Sequence, residues 1–248
     1  MSNLRQPSES DILVRFWSLD HHRSEEILWL TSSWPKLVYC LEGTIHVTTQ
    51  TTLHLLPPNR ALWIKSNEPN PARTLGRAKV RTLYFSPYIK IDNPPHVLQI
   101  RPLFRELIAE ACLVGPLNRS KPSHASLSNL LVEEITSAPT QSTSIPIPRS
   151  EWLHDWCVQY LTDPYLPLPN HYSRRTIERL LLKETNLTLG QWCQLARAIV
   201  GFQSISEGRT VIEASVDAGF TTPSGFIQAF RKQFGKTPGQ ILKTDPRL

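Results

Sequence analysis

The stretch Thr210–Gly235 has the spacing of a helix-turn-helix, a motif that presents one helix to the major groove of DNA. A short helix is predicted over Thr210–Ala218, and three turn residues follow Gly219. Glycine suits the turn because it adopts positive φ without strain. A second helix is then predicted over Pro223–Phe234. The chemistry that this arrangement could perform is hydrogen bonding to base edges and phosphates.

The second helix has two distinct faces in this interpretation. Phe226 and Phe230 recur on the side that should face a core, whereas Ser224, Gln228 and Arg231 recur on the opposite side. Early residues of such a helix reach base edges, and later cations reach phosphates. An amphipathic helix that merely has a core face and a solvated face would show the same pattern. Spacing alone therefore leaves both interpretations open.

Local clusters of positive charge favour a polyanionic partner. The chain has 27 basic and 21 acidic residues and a net charge of +6. The segment Gln228–Lys243 has four cations and no acid. A second basic cluster follows Ser173 on a predicted helix, and its members are Arg174, Arg175, Arg179 and Lys183. Two basic helices separated by one long helix, Leu189–Ser206, strengthen the DNA hypothesis.

Helix start signals make the C-terminal third a compact helical region. Three threonines each precede a Gln or Glu by three positions, which is the capping box; they are Thr188, Thr210 and Thr237. Thr222 precedes a proline at the first helical position, and Ser173 can cap a helix over Arg174–Glu184.

The region from about Leu28 to Tyr88 predicts short β-strands separated by Pro, Gly and Asn turns, as in a small sandwich or barrel. Helices are predicted near Arg101–Leu113 and Leu127–Thr136. The segment Ser137–Ser150 is rich in Pro, Ser and Thr, which predicts a linker and a domain boundary.

Several function classes find no support in the sequence. The four cysteines form no C-x-x-C pair and no leader precedes Ser10, so we expect reduced thiols and a cytoplasmic protein. No apolar run approaches the roughly 20 residues of a membrane span. G-x-S-x-G, H-E-x-x-H and Gly-rich phosphate loops are absent. His46 and His54 fall on different predicted strands, and we expect no metal and no cofactor.

Three aromatic residues in the N-terminal half, Trp34, Tyr39 and Trp63, are candidates for the wall of an effector pocket. The alternative is that they are ordinary core residues, and the sequence leaves this choice open.

Several motifs of the chain resemble those of a known family, the AraC/XylS family of bacterial transcription regulators. The resemblance covers about residues 150–248 and depends on several motifs in order. They are Ser173–Gly190, Gln191–Trp192, Leu195–Arg197, Glu207–Arg209, Ala218–Phe220 and Phe234–Pro238. The upstream half resembles the cupin-type sensor domain of that family, through Tyr39–Val47 and Leu56–Ile64.

The resemblance implies an α+β multidomain fold, with an N-terminal β-rich cupin-like barrel with helices and a C-terminal all-α helix-turn-helix domain. It divides the chain into a sensor or dimerisation domain (1–138), a linker (139–150) and a DNA-binding domain (151–248). It implies a sequence-specific, effector-responsive regulator, often an activator, and not an enzyme. The implied partners are double-stranded DNA, a small-molecule effector and RNA polymerase, for a monomer or homodimer without a membrane partner.

Carried over by position, the resemblance gives two recognition helices. In the first, over Arg174–Lys183, the outward residues are Arg174, Arg175, Thr176 and Arg179. In the second, the residues at the bases are Thr222, Ser224, Gly225 and Gln228. Arg231 and Lys232 lie beside the DNA backbone.

Two departures from the family pattern matter. Family members have a helix before the first recognition helix, but Asp163–Ser173 contains three prolines and has no room for one. The first helix-turn-helix is therefore predicted to be truncated. Many relatives also carry histidines ahead of Leu37–Leu41 and near Pro69, and this chain does not. The alternatives left open are a cupin-type metalloenzyme with an accessory helical domain and a degenerate family member that acts through protein partners.

Overall fold

The computed structural model of the chain describes residues 11–24, 26–27, 31–91, 96–140 and 143–244. The chain forms two compact units. The first, called here the sheet unit, comprises the described residues of Met1–Ile45 and Pro58–Gln141. The second, called the helical unit, comprises those of His46–Pro57 and Ser142–Leu248. The division into sensor, linker and DNA-binding domains stays a prediction.

The strands are β1 (Ile12–His21), β2 (Glu26–Ile27), β3 (Lys36–Glu42), β4 (Ile45–Thr49), β5 (Thr52–Leu56), β6 (Arg60–Ile64), β7 (Ala72–Thr74), β8 (Ala78–Phe85), β9 (His96–Gln99), β10 (Leu117–Asn118) and β11 (Ser144–Pro146). The helices are α1 (Pro102–Val114), α2 (Pro122–Ser137), α3 (Glu151–Tyr160), α4 (Arg174–Thr185), α5 (Leu189–Ser206), α6 (Val211–Asp217), α7 (Pro223–Phe234) and α8 (Pro238–Thr244).

The sheet unit contains a six-stranded antiparallel sheet in the order β10-β1-β8-β3-β6-β9, besides the short pair β2–β7. Side chains alternate between the two faces of a strand. One face of this sheet therefore collects residues such as Leu37 and Leu83, which form a core with Phe104 of α1 and Leu131 of α2. The predicted strands and both predicted helices of this region are present.

The three aromatic residues proposed for an effector pocket differ in their surroundings. Tyr39 and Trp63 belong to the core that includes α1 and α2, with exposed fractions of 1% and 0%. The ring of Trp63 meets that of Phe85 edge-on, with centroids 5.5 Å apart. Trp34 lies outside this core among the described residues, and the guanidinium of Arg15 is 4.5 Å from its ring centroid. Their role in effector binding stays a prediction.

The helical unit contains three strands besides its helices. β5 is hydrogen-bonded to β4 on one side and to β11 on the other. β11 lies within the segment predicted as a linker, and its Ile145 is fully buried. The indole N–H of Trp192 donates to the carbonyl of Pro146 at 2.7 Å. The segment is ordered here because its apolar residues join the core of the helical unit.

α5 is the central helix of this unit. Gly201 on α5 allows the ring of Phe226 on α7 to approach closely, since a Cβ at position 201 would overlap that ring. Phe226 in turn meets Phe230 at 5.4 Å between centroids, and Phe230 stacks on Phe202 at 5.9 Å. This aromatic packing fixes the position of α7 against α5.

His54, one of the two histidines considered as metal ligands, has local hydrogen-bond partners. The imidazole of His54 contacts Thr49 Oγ1 at 2.7 Å through Nε2 and Ser144 Oγ at 2.8 Å through Nδ1. Within the described ranges, no three His, Cys, Asp or Glu side chains are grouped so that they could hold a metal ion. In the same ranges no helix has the length and apolar character that crossing a bilayer requires.

Candidate nucleic-acid interface

The predicted helix-turn-helix is present as α6, a turn and α7. Gly219 begins the turn with φ of 72°, in the left-handed region that favours glycine. A Cβ at this position would also lie 3.1 Å from Cβ of Pro164, so the turn packs tightly. Both the positive φ and the close approach explain why glycine occupies the turn.

α7 is capped at both ends. The hydroxyl of Thr222 accepts a hydrogen bond from the backbone N–H of Gly225 at 3.2 Å, and Pro223 occupies the first helical position. Gly235 closes the helix in the left-handed conformation with φ of 70°. Because Thr222 Oγ1 already accepts a bond, this residue contributes to helix geometry as well as to the predicted DNA face.

The faces of α7 divide as the sequence predicts. Phe226 and Phe230 are fully buried against α5. The residues predicted for the DNA face are exposed or, for Gly225, partly exposed; they are Thr222, Ser224, Gly225, Gln228, Arg231 and Lys232. The polar face of α7 is therefore open to a large partner.

α4 has a similar division. Ile177 and Leu181 are fully buried, while Arg175 and Arg179 are exposed. Within the described part of the chain, neither arginine forms an ion pair with an acidic side chain.

The other two predicted residues of α4 have intramolecular partners. Arg174 Nε donates to Glu178 Oε1 at 2.8 Å, in an exposed ion pair one helical turn apart. Thr176 is partly buried, and its hydroxyl lies 2.8 Å from that of the capping Ser173. Exposed ion pairs contribute little to stability, so Arg174 can exchange this partner for a phosphate.

Glu184, near the end of α4, holds this helix to the start of α3. Its carboxylate accepts from the backbone N–H groups of Arg149 at 2.7 Å and Ser150 at 3.1 Å, and from the Ser150 hydroxyl at 2.7 Å. Burial opposes ionisation, but these hydrogen bonds outweigh it and hold the pKa of Glu184 below its usual range. A carboxylate at the N-terminus of α3 also interacts favourably with the dipole of that helix.

We expect Glu184→Gln to lower the free energy of unfolding at neutral pH by about 1 kcal/mol, because charge-assisted hydrogen bonds are lost. Because the pKa of Glu184 is lower in the folded state than in the unfolded state, its ionisation stabilises the protein at pH values above the unfolded-state pKa. This contribution is lost as the pH falls through the folded-state pKa. The difference from wild type should therefore shrink below the ordinary glutamate pKa of about 4.3. Urea unfolding at several pH values measures it.

The matched control is Glu178→Gln. It removes a carboxylate of the same helix, and that carboxylate forms only an exposed ion pair. We expect a change below about 0.5 kcal/mol for it. Equal effects of both variants would contradict a specific role of Glu184.

A coil connects α3 to α4, where the family pattern has a helix. Residues 161–173, which the structure describes throughout, contain no helix between α3 and α4. The part Asp163–Tyr172 is called here the proline segment. It is fixed by hydrogen bonds from Trp156 Nε1 to the Pro167 carbonyl and from the Tyr165 hydroxyl to the Val216 carbonyl, each 2.8 Å long.

Further contacts fix both ends of the proline segment. At its start Pro164 is buried, and Arg197 Nη2 donates to its carbonyl at 3.5 Å. At its end Tyr172 stacks on Trp152 of α3 with centroids 3.9 Å apart. Sequence reasoning treated this segment as a loss of scaffold and missed these residues. The available signal was the alternation of prolines with tyrosines and leucines, which can bury apolar surface without a helix.

Comparison with known proteins identifies a helix-turn-helix domain in this part of the chain. Residues 170–244 match a family described as a helix-turn-helix domain. The HTH-type transcriptional regulator NimR of Escherichia coli (strain K12) is 26% identical over 225 residues, which are 84% of this chain and 79% of that protein. The regulatory protein SoxS of Salmonella typhimurium (strain LT2) is 24% identical over 89 residues, which are 36% of this chain and 83% of that protein.

Among solved structures, unsaturated-fatty-acid-bound ToxT of Vibrio cholerae aligns with 96% of this chain and 97% of that chain, at 10% identity and a TM-score of 0.39. The helix-turn-helix match spans α4 to α8, which include both exposed basic helices. The similarity to NimR extends well beyond these helices. The chain thus contains a C-terminal helix-turn-helix domain and is similar to DNA-binding transcription regulators of the AraC/XylS family.

Proposed function

We propose that the chain docks on double-stranded DNA through the exposed face of α7, with Gln228 at a base edge and Arg231 and Lys232 at phosphates. The observation that carries this proposal is the open polar face of α7, opposite the buried Phe226 and Phe230. Arg231 and Lys232 lie in the last turn of α7, whereas Gln228 lies nearer the N-terminus of the helix. This order suits a helix that enters the major groove by its N-terminal end.

Gln228 is the main reader of sequence on α7. A glutamine side chain can form paired hydrogen bonds with adenine, whereas Ser224 offers one hydroxyl and Gly225 offers no side chain. Small residues there let the backbone approach the bases but give little discrimination. We therefore expect α7 to read sequence weakly and to obtain most of its affinity from phosphates.

α4 makes the second contact in this proposal. Arg175 and Arg179 are exposed cations of α4 that form no ion pair with an acidic side chain in the described ranges, and Arg174 and Thr176 lie on the adjoining surface. The proline segment and Glu184 replace the scaffold that a complete first helix-turn-helix supplies. This support favours a DNA contact at α4 over a helix that has lost its docking role.

The further partners follow from the family. We propose that the protein responds to a small-molecule effector, acts together with RNA polymerase and works in the cytoplasm, where bacterial DNA is accessible. This function is compatible with a monomer and with a homodimer. It requires no catalysis by the chain.

Selection of binding sites from random duplex DNA tests the proposal. We expect wild type to enrich a short motif, and Gln228→Ala to lose preference at about one base pair while retaining the rest. The matched control is Gln233→Ala, which removes the same side chain from a partly buried position of α7. Failure of wild type to enrich any motif would contradict sequence-specific binding, and an unchanged motif for Gln228→Ala would contradict the proposed reader.

A further inference from the structure

A cleft of about 580 Å³ lies inside the helical unit, between the proline segment, α3 and α5. Ligand sites in proteins typically measure roughly 300–1,000 Å³ and have mainly apolar walls with a few polar groups. Trp156, Tyr160, Tyr165 and Phe220 supply aromatic surface to this cleft. Its size and walls therefore match those of a small-molecule site.

The cleft is positively charged. Arg197 and Arg174 line it, and no Asp or Glu is among the lining residues in the described part of the chain. Burial raises the pKa of Tyr160 to about 12 and raises that of the Cys193 thiol, so both groups are neutral at physiological pH. Arg197 therefore has no acidic partner among the described lining residues, whereas Arg174 forms its ion pair with Glu178, which does not line the cleft.

Arg197 is already held in place. Its Nε donates to the Tyr160 hydroxyl at 2.9 Å, and its Nη2 donates to the Pro164 carbonyl at 3.5 Å. A guanidinium has five N–H groups, so both contacts together leave donors for a ligand. A fixed guanidinium is suited to a carboxylate because the two groups match in planar geometry.

The coil between α3 and α4 forms one wall of the cleft. Residues 161–173 cross this region as a coil, and Pro164, Tyr165 and Leu166 form one wall in place of helix side chains.

We propose that this cleft binds a small aromatic carboxylate, with its ring against the aromatic wall and its carboxylate at Arg197. Aromatic rings favour offset stacking or edge-on contact with a flat ligand. Such a ligand also reaches Arg174, which belongs both to the cleft and to the exposed surface of α4. Regulation of DNA affinity by the ligand rests on the proposed function, whereas binding itself does not.

Isothermal titration of the full chain without DNA tests the binding step. The probe is 2-naphthoate, and its neutral counterpart 2-naphthamide is the control ligand. We expect 2-naphthoate to bind at least about tenfold more tightly, since hydrogen bonds to a charged group contribute more than neutral ones. Equal affinities, or no heat from 2-naphthoate up to millimolar concentrations, would overturn the proposal.

Gly190 offers a variant that blocks the cleft without disturbing the core. It lines the cleft in the first turn of α5, and a Cβ there meets nothing within 4 Å. We expect Gly190→Leu to lower the affinity for 2-naphthoate at least about tenfold, since its side chain enters space that the ligand needs. The matched control Gly190→Ala should change it less than about threefold. Unchanged binding by Gly190→Leu would place the ligand elsewhere and overturn the proposal.

A second titration separates this inference from the proposed function. Saturating 2-naphthoate should change the affinity of wild type for duplex DNA at least about threefold, and should have no effect on Gly190→Leu. Normal ligand binding with no DNA binding at all would contradict the proposed function and leave the ligand site standing. Ligand binding that leaves normal DNA affinity unchanged would overturn the regulatory step.

Discussion

Replacing Arg231 and Lys232 together with alanine is expected to weaken binding to any duplex by roughly 10- to 100-fold at physiological salt. Both side chains are exposed in the last turn of α7, and neither forms an ion pair with an acidic side chain in the described ranges. Their charges are therefore free to displace condensed counterions from DNA. Because phosphates are the same in every sequence, specific and random sites should weaken alike.

The salt dependence gives the sharper measurement. Each phosphate contact contributes about 0.9 to the slope of log K against log salt concentration, so the double variant should have a slope smaller by about 1.8. Fluorescence anisotropy at several salt concentrations determines this slope.

A charge-matched control distinguishes a local contact from a general effect of net charge. Arg119→Ala with Lys121→Ala also removes two exposed cations, but from the loop before α2 in the sheet unit. Its slope should stay within about 0.3 of wild type. An equal loss of slope in both double variants would mean that the cations of α7 do not contact phosphates.

Gln228 should behave differently from these cations. Its amide is neutral, so its removal should leave the salt slope unchanged and alter only the preferred sequence. The two kinds of variant thus separate attraction to the DNA backbone from reading of the bases, and both follow from the order of residues along one helix.

Local signals account for most of what the sequence predicts correctly. The bounds of α5 and α7 agree with those inferred from the sequence, because Thr188 and Thr222 cap helices whose core residues recur at helical intervals. The open face of α7 follows from the same periodicity. Such features depend on side chains within one or two turns, and these are legible in a single sequence.

Non-local packing explains what the sequence did not predict. β11 forms because Ile145 enters a core with residues such as Leu53 and Trp192 that are distant along the chain. The proline segment is held by a bond from Tyr165 to Val216, 51 residues away. Composition rich in Pro and Ser usually indicates a linker, and the composition of Ser137–Ser150 does not reveal a strand that pairs with β5.

Tyr39 and Trp63 illustrate a related limit. Alternation along β3 and β6 predicts that they share a face with other apolar residues, but it does not say what covers that face. The structure shows that α1 and α2 contribute to the core on that side. Whether a strand residue lines a cavity or a core depends on elements that follow much later in the chain.

Replacing Gly201 with alanine is expected to lower the free energy of unfolding of the helical unit by about 1–3 kcal/mol, because the added methyl group overlaps the ring of Phe226. Phe226 is fully buried and positions α7, so DNA affinity should fall as well. Alanine normally stabilises a helix relative to glycine by about 0.5–1 kcal/mol. A loss of stability would thus run against helix propensity and report packing alone.

Gly190→Ala on the same helix is the matched control, since a Cβ there meets nothing within 4 Å. It should raise the stability by about 0.5–1 kcal/mol. Urea unfolding followed by tryptophan fluorescence measures both variants, because Trp156 and Trp192 lie in the core of this unit.

A double-mutant cycle identifies the partner of the added methyl group. In a Phe226→Leu background the ring is gone, so Gly201→Ala should destabilise the protein by at least about 1 kcal/mol less than in wild type. Strict additivity would show that the methyl group meets something other than Phe226. In that case, the close approach of α5 and α7 at Gly201 would not determine the angle at which α7 meets DNA.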